Sequence, residues 1–132
     1  MQTLIELYDE RPLENVLGAE MFQPKRVVYI CPEAVARDQS LHKKLRTYFS
    51  HRGLKIELIF FKADVYDAMS VLELLGSILL RYPDCALDIT GGTDAVLYAA
   101  EWRTDERNVW TAETETGRRS ETKQEQLAMK MK

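Results

Sequence analysis

The segment Asp88-Ile89-Thr90-Gly91-Gly92-Thr93 carries the residue types best suited to holding a ligand. It follows a short apolar run, Cys85-Ala86-Leu87, and precedes a helix-like run, Ala95-Val96-Leu97-Tyr98-Ala99-Ala100. A strand that ends in a Thr/Gly turn and opens a helix leaves backbone N–H groups without intrahelical partners. The helix dipole adds positive potential at the same place, so the turn suits an anion, phosphate above all. Gly91 and Gly92 let a ligand approach the main chain closely. Thr90 and Thr93 add hydroxyls, and either is equally a helix cap. On spacing alone the turn is as readily a plain strand-to-helix connection. Asp88 is expected to cap its own loop or pair with a neighbouring hydroxyl, with orientation of Thr90 as the alternative.

A second set, Tyr8-Asp9-Glu10-Arg11, lies at the end of the opening apolar run. Adjacent carboxylates can serve acid–base chemistry or hold a metal. In a turn they are more often solvated, and they oppose a phosphate. Arg11 is a candidate cation for an anionic ligand, although a turn arginine is ordinarily solvated. His42 and His51 stand nine residues apart, which is not a ligand spacing on one helical face, so both are expected at the surface or in packing. Cys31 and Cys85 fall at the edges of apolar runs with no metal or redox spacing and read as buried structural thiols.

The elements that must position these residues alternate. Thr3 to Tyr8 reads as a strand, and Pro12 opens a short helix that Gly18 and Pro24 end. Arg26 to Cys31 is a second strand, and a helix runs from about Val35 to His51, closed by Arg52-Gly53. Leu54 to Phe61 is a third strand, and Asp64 caps a helix from Val65 to about Tyr82 with a broad apolar stripe. Ala86 to Ile89 is the fourth strand, followed by a helix to about Trp102. Asn108 to Thr111 is a fifth strand. This alternation implies an α/β fold: a Rossmann-like, mostly parallel sheet with helices on both faces. Ligands bind such sheets at the carboxyl ends of the strands, here the loops Tyr8–Arg11, Cys31–Arg37, Phe61–Asp64 and Thr90–Asp94. Trp102 and Trp110 are expected in the core or a dimer contact.

The chain of 132 residues suits one domain, 45% hydrophobic and 30% charged, with a formal net charge of −3. That balance gives no basic field for direct binding of duplex nucleic acid. No apolar run reaches membrane-spanning length, and Met1 to Tyr8 does not read as a signal peptide, so a cytoplasmic location is expected. Residues 113–132 are polar and charged and read either as a disordered tail or as a terminal helix packing on a partner.

LIELYDERPLENVL at the start and DITGGT later, at this separation, resemble the CRISPR-associated Rossmann-fold (CARF) domain, over roughly residues 1–112. The similarity is closer to the subfamily in which that domain precedes a nuclease. The resemblance implies a homodimer whose cleft binds a cyclic oligoadenylate second messenger, usually cyclic tetra-adenylate, in type III CRISPR immunity. It implies ligand contacts from Tyr8, Asp9, Glu10 and Arg11 and from Thr90, Gly91, Gly92, Thr93 and Asp94. A ring of even symmetry fits two equivalent loops across a two-fold axis. Many relatives carry Lys or Arg just after the glycine turn where this chain has Asp94-Ala95-Val96, so Arg11 or Arg37 would supply the cation. No acidic–acidic–lysine metal constellation of the nuclease type is present, so the chain is expected to be a truncated or stand-alone sensor. Its effector domain or partner would lie outside it.

The first expectation is therefore a binding module with no cofactor and no metal. The alternative is a metal-independent ring nuclease, in which a ribose 2′-hydroxyl attacks the adjacent phosphate and Thr90, Thr93, Tyr8 and Arg11 position it. A third reading is an unrelated Rossmann-like nucleotide-binding domain, against which stands the lack of GxGxxG and GxxxxGK[ST].

Overall fold

Parallel pairing organises the chain into one sheet with strand order β3-β2-β1-β4-β5. The computed structural model describes residues 2–88 and the backbone of Val109 and Trp110. The strands are β1 (Thr3–Leu7), β2 (Arg26–Cys31), β3 (Glu57–Lys62), β4 (Cys85–Asp88) and β5 (Val109–Trp110). The helices are α1 (Pro12–Phe22), α2 (Glu33–Ala36), α3 (Gln39–His51) and α4 (Ala68–Arg81). The expected α/β, Rossmann-like parallel sheet is thus observed. None of the described helices is long and apolar enough to cross a membrane.

β1 lies at the centre, paired with β2 on one edge and β4 on the other. Its five residues are all buried, as expected for a strand covered on both faces. Ile5, Leu7, Val28, Ile30 and Leu87 pack with Val71, Leu75 and Ile78 of α4. Leu4, Val27, Tyr29 and Ala86 face the other way, onto Val16 and Ala19 of α1 and Leu45 and Phe49 of α3. The period-two alternation of each strand therefore divides the core into two layers.

Several boundaries differ from expectation for local reasons. The single helix expected over 35–51 is two, because Asp38 caps a fresh start by accepting from Leu41 N–H at 3.1 Å. β3 begins at Glu57 rather than Leu54, since Leu54 N–H is spent on Phe49 C=O at 2.9 Å in the exit from α3. Gly53 takes φ +75° there, a conformation that favours glycine. Asp64 does not cap α4. It accepts from Tyr66 N–H at 3.1 Å in a turn, and Asp67 caps the helix by accepting from Met69 N–H at 3.1 Å. The expected fourth helix, the side chain of Trp110, Trp102 and the segment 113–132 lie outside the described residues.

Gly18 was expected to end α1, yet the helix runs through it to Phe22 and closes at Gln23 in the left-handed conformation. The glycine is there for proximity. A Cβ at Gly18 would stand 2.6 Å from both Glu6 Oε1 and Asp88 Oδ2, and 3.3 Å from Leu4 Cδ2. Alanine in a helix is ordinarily favoured over glycine by about 1 kcal/mol, whereas overpacking a core costs about 1–3 kcal/mol. Both carboxylates are buried, with little room to yield, so the second term wins. Gly18→Ala is expected to lower stability by about 1–3 kcal/mol, read as a fall in the denaturant midpoint at unchanged m-value. A gain in stability would mean that α1 does not sit this close to the sheet.

Candidate functional site

Because the strand order reverses about β1, the crevice of this sheet opens beyond the carboxyl ends of β1 and its neighbours. Tyr8 continues the ladder by donating its N–H to Ile30 C=O at 3.0 Å. After it the main chain turns away, and Asn15 of α1 holds the turn. Asp9 N–H donates to Asn15 Oδ1 at 2.7 Å, and Asn15 Nδ2 donates to Asp9 C=O at 2.6 Å. The Asn15 carbonyl in turn accepts from the Tyr29 hydroxyl at 2.7 Å. Tyr29 stacks on Phe60, with ring centroids 5.1 Å apart, and Phe60 stacks on His42 at 3.7 Å. His42 Nε2 donates to Val35 C=O at 2.8 Å. The loops after β1 and β2 are thereby joined through one row of buried and half-buried polar and aromatic groups. His42 is a packing residue, in line with the expectation, and His51 is exposed.

Arg11 lies at the mouth of this loop with its guanidinium turned back on Asp9. Nε and Nη2 reach Oδ1 and Oδ2 at 3.0 Å each, and Nη1 stands 3.8 Å from Glu14 Oε1. The cation expected for a ligand is thus committed to its own loop. The Arg11 side chain is 67% exposed, so water screens the pair and an incoming anion can exchange with Asp9. Arg37 is likewise engaged, with Glu33 at 2.9 Å, and Lys62 lies 3.9 Å from the same carboxylate.

Three loops meet around a cleft of about 460 Å³. Tyr8, Asp9 and Glu10 form one wall, Pro32, Ala34 and Val35 the second, and Val65 and Tyr66 the third. The third wall differs from expectation. β3 extends to Lys62, and the residues at the cleft are ones expected inside the following helix. Burial first, then its titratable neighbours Cys31, Glu10, Asp38 and Asp9, push the Tyr8 hydroxyl above its usual range, so it stays a neutral donor. Cys31 is buried, contacts Phe61 C=O at 3.5 Å, and has its thiol pushed up to about 12 by burial. Burial also raises Cys85. Neither thiol is poised for nucleophilic work. Among the described residues no group of three or more His, Cys, Asp and Glu could hold a metal ion. Thr90, Gly91, Gly92, Thr93 and Asp94 lie outside the described residues.

A residue the sequence reading missed sits beneath this loop. Glu6 of β1 is paired in register with Asp88 of β4, and both side chains are buried, at 2% and 1% exposure. Glu6 Oε1 has no donor within the described residues, so a proton on the pair satisfies it. Burial first, then the charge of Asp88, a hydrogen bond between the two carboxyls, and Glu14 push Glu6 well above the usual carboxylate range. The available signal was a lone acid within an otherwise apolar central strand, Thr3-Leu4-Ile5-Glu6-Leu7. Asn15 offered no comparable signal, since its task depends on the turn opposite.

Since Glu6 is raised in the folded state, the native protein holds a proton that the unfolded chain releases. The stability this contributes is complete below the ordinary glutamate value and is lost as pH rises through the raised one, by at most about 1.4 kcal/mol per pH unit. Glu6→Gln, neutral at every pH and able to donate to Asp88, is expected to flatten that loss in urea titrations at stepped pH. Parallel slopes in the two proteins would contradict a shared proton. Asn15→Ala strips both main-chain partners of Asp9 and is expected to cost about 1–3 kcal/mol. Amide exchange at Asp9 reads the same change as lost protection, and unaltered protection would show that the loop holds itself.

No protein-family model and no curated protein matches the chain in sequence. Among solved structures it is similar to Can2 from Sulfobacillus thermosulfidooxidans in complex with cyclic tetra-adenylate, at TM-score 0.62 and 23% identity. The match covers 78% of this chain and 29% of that one. The chain therefore spans less than a third of the length of the protein it matches, and what the two share is the architecture, a Rossmann-like α/β fold.

Proposed function

We propose that this chain is a sensor module that binds a cyclic oligoadenylate, cyclic tetra-adenylate foremost, in the cleft of a homodimer. The observation that carries the reading is the fold it shares with a protein solved with that ligand. Support comes from the cleft itself, which lies at the carboxyl ends of the central strands, where ligands of such sheets bind. The first loop would contribute Tyr8, Asp9, Glu10 and Arg11. The second would contribute Thr90, Gly91, Gly92, Thr93 and Asp94, whose backbone N–H groups and hydroxyls suit phosphate. Arg11 would leave Asp9 for a phosphate, an exchange of one exposed ion pair for another.

A dimer is supported by the outer face of α4. Met69 and Leu80 are eleven residues apart, about three helical turns, and so share one stripe; they are 59% and 87% exposed. A four-fold ring across a two-fold axis would meet two equivalent sets of loops, one from each protomer. Occupancy would shift the relative placement of the protomers, and an effector domain or partner would read that shift. This reading places the protein in the cytoplasm, in a type III CRISPR antiviral response.

Calorimetric titration with cyclic tetra-adenylate is expected to show one ring bound per two chains, with intact ring recovered on chromatography. The double variant Thr90→Ala/Thr93→Ala is expected to bind about five- to 150-fold more weakly at unchanged thermal midpoint, since about 0.5–1.5 kcal/mol attaches to each hydrogen bond lost. Equal affinity in the double variant would remove the second loop from the site. Linear products would turn the reading to ring cleavage, and absence of binding by the parent protein would overturn it.

A further inference from the structure

Tyr66 is 80% exposed although it follows Val65, which is 8% exposed and packed in the core beneath α4. The main chain of this turn is held firmly. Tyr66 N–H donates to Asp64 Oδ1 at 3.1 Å, Asp67 N–H donates to Asp64 C=O at 3.0 Å, and Asp64 N–H is 3.2 Å from Ser70 Oγ. With Val65 anchored inward and Asp64 fixing the turn, the tyrosine ring is held outward.

The ring is also placed between two clefts. It lines the one of about 460 Å³ described above and a second of about 440 Å³ formed with Lys62 and Ser70, the two sharing Pro32, Val65 and Tyr66. Charge then decides which part of a nucleotide belongs here. The first cleft holds Asp9 and Glu10 and no cation among its lining residues, and Arg11, next along the loop, is already on Asp9. Glu10 has no ion pair among the described residues. A phosphate is repelled by such a wall, whereas a neutral aromatic ring is not, and an exocyclic amino group can donate to a carboxylate.

We infer that Tyr66 is a specificity residue of the proposed site, stacking a base of the ligand over the cleft while the phosphates lie elsewhere. The inference rests on the cyclic oligoadenylate reading and adds a contact from the third loop. An aromatic ring with two side-chain torsions loses little freedom on stacking, and each stacked base ordinarily contributes a five- to hundredfold effect on affinity.

Cyclic tetra-adenylate is titrated into the full chain and into its Tyr66→Ala and Tyr66→Phe variants, with thermal midpoints taken in parallel. The exposed position predicts unchanged midpoints. The expected result is a five- to hundredfold loss for Tyr66→Ala and a change of threefold or less for Tyr66→Phe, because stacking needs the ring and not the hydroxyl. Equal binding by Tyr66→Ala and the parent would overturn the inference and leave the sensor reading standing. An equal loss in both variants would overturn it too, assigning the contact to the hydroxyl. Absence of binding by the parent would overturn the sensor reading and the inference together.

Discussion

Two carboxyl groups buried against each other set the terms for this structure. Glu6 and Asp88 face across the β1–β4 pairing, almost wholly withdrawn from water. Two ionised carboxylates cannot be kept so close in a medium of low polarity, so the pair is tolerated by holding a proton. The space above them admits no side chain, which is why α1 presents Gly18 there. The position of α1 then follows, and with it Asn15, one turn earlier, and the loop that Asn15 holds. The acids lie at the carboxyl ends of β1 and β4, directly before the two segments that carry the ligand residues proposed for this fold.

The polarity around the cleft is consistent with a divided task. The first loop is acidic, and its arginine is turned inward on Asp9. The second loop, Thr90 to Asp94, is uncharged until Asp94 and rich in backbone donors by composition. An anionic ring is better served by neutral, preorganised N–H groups for its phosphates and by aromatic or apolar walls for its bases than by a cationic surface that attracts any nucleic acid. The net charge of −3 accords with that arrangement. The row Asn15–Tyr29–Phe60–His42 supplies rigidity, since it joins the loop after β1 to Val35 in the loop after β2.

Much of the architecture was legible because it depends on local pattern. Apolar runs separated by amphipathic stretches located β1, β2 and β4 to within a residue or so, and Pro12 marked the start of α1. Errors arose where a residue had two local meanings. Gly18 looked like a helix end and is a point of close approach. Asp64 looked like a helix cap and is the hinge of a turn, with Asp67 capping three residues later. Leu54 looked like strand and completes the exit from α3. The competing conformations are close in local energy: the sheet beneath α1 decided Gly18, whereas hydrogen bonds to Tyr66 and to Phe49, a few residues away, decided Asp64 and Leu54.

What the sequence determined by itself was the class of the fold and which strand ends open the crevice of the sheet. The alternation of strands and helices dictates a parallel sheet, and a parallel sheet dictates which ends carry function. What only the tertiary structure decided was which side chains meet. Glu6 and Asp88 are 82 residues apart in the chain and adjacent in the sheet. Asn15 reaches back to Asp9, and Tyr66 arrives at the cleft from a turn that the pattern had assigned to a helix. Burial and register create these contacts: a strand's neighbours are chosen by the whole sheet, and the proton shared by two acids exists only once the sheet has brought them together and closed out water.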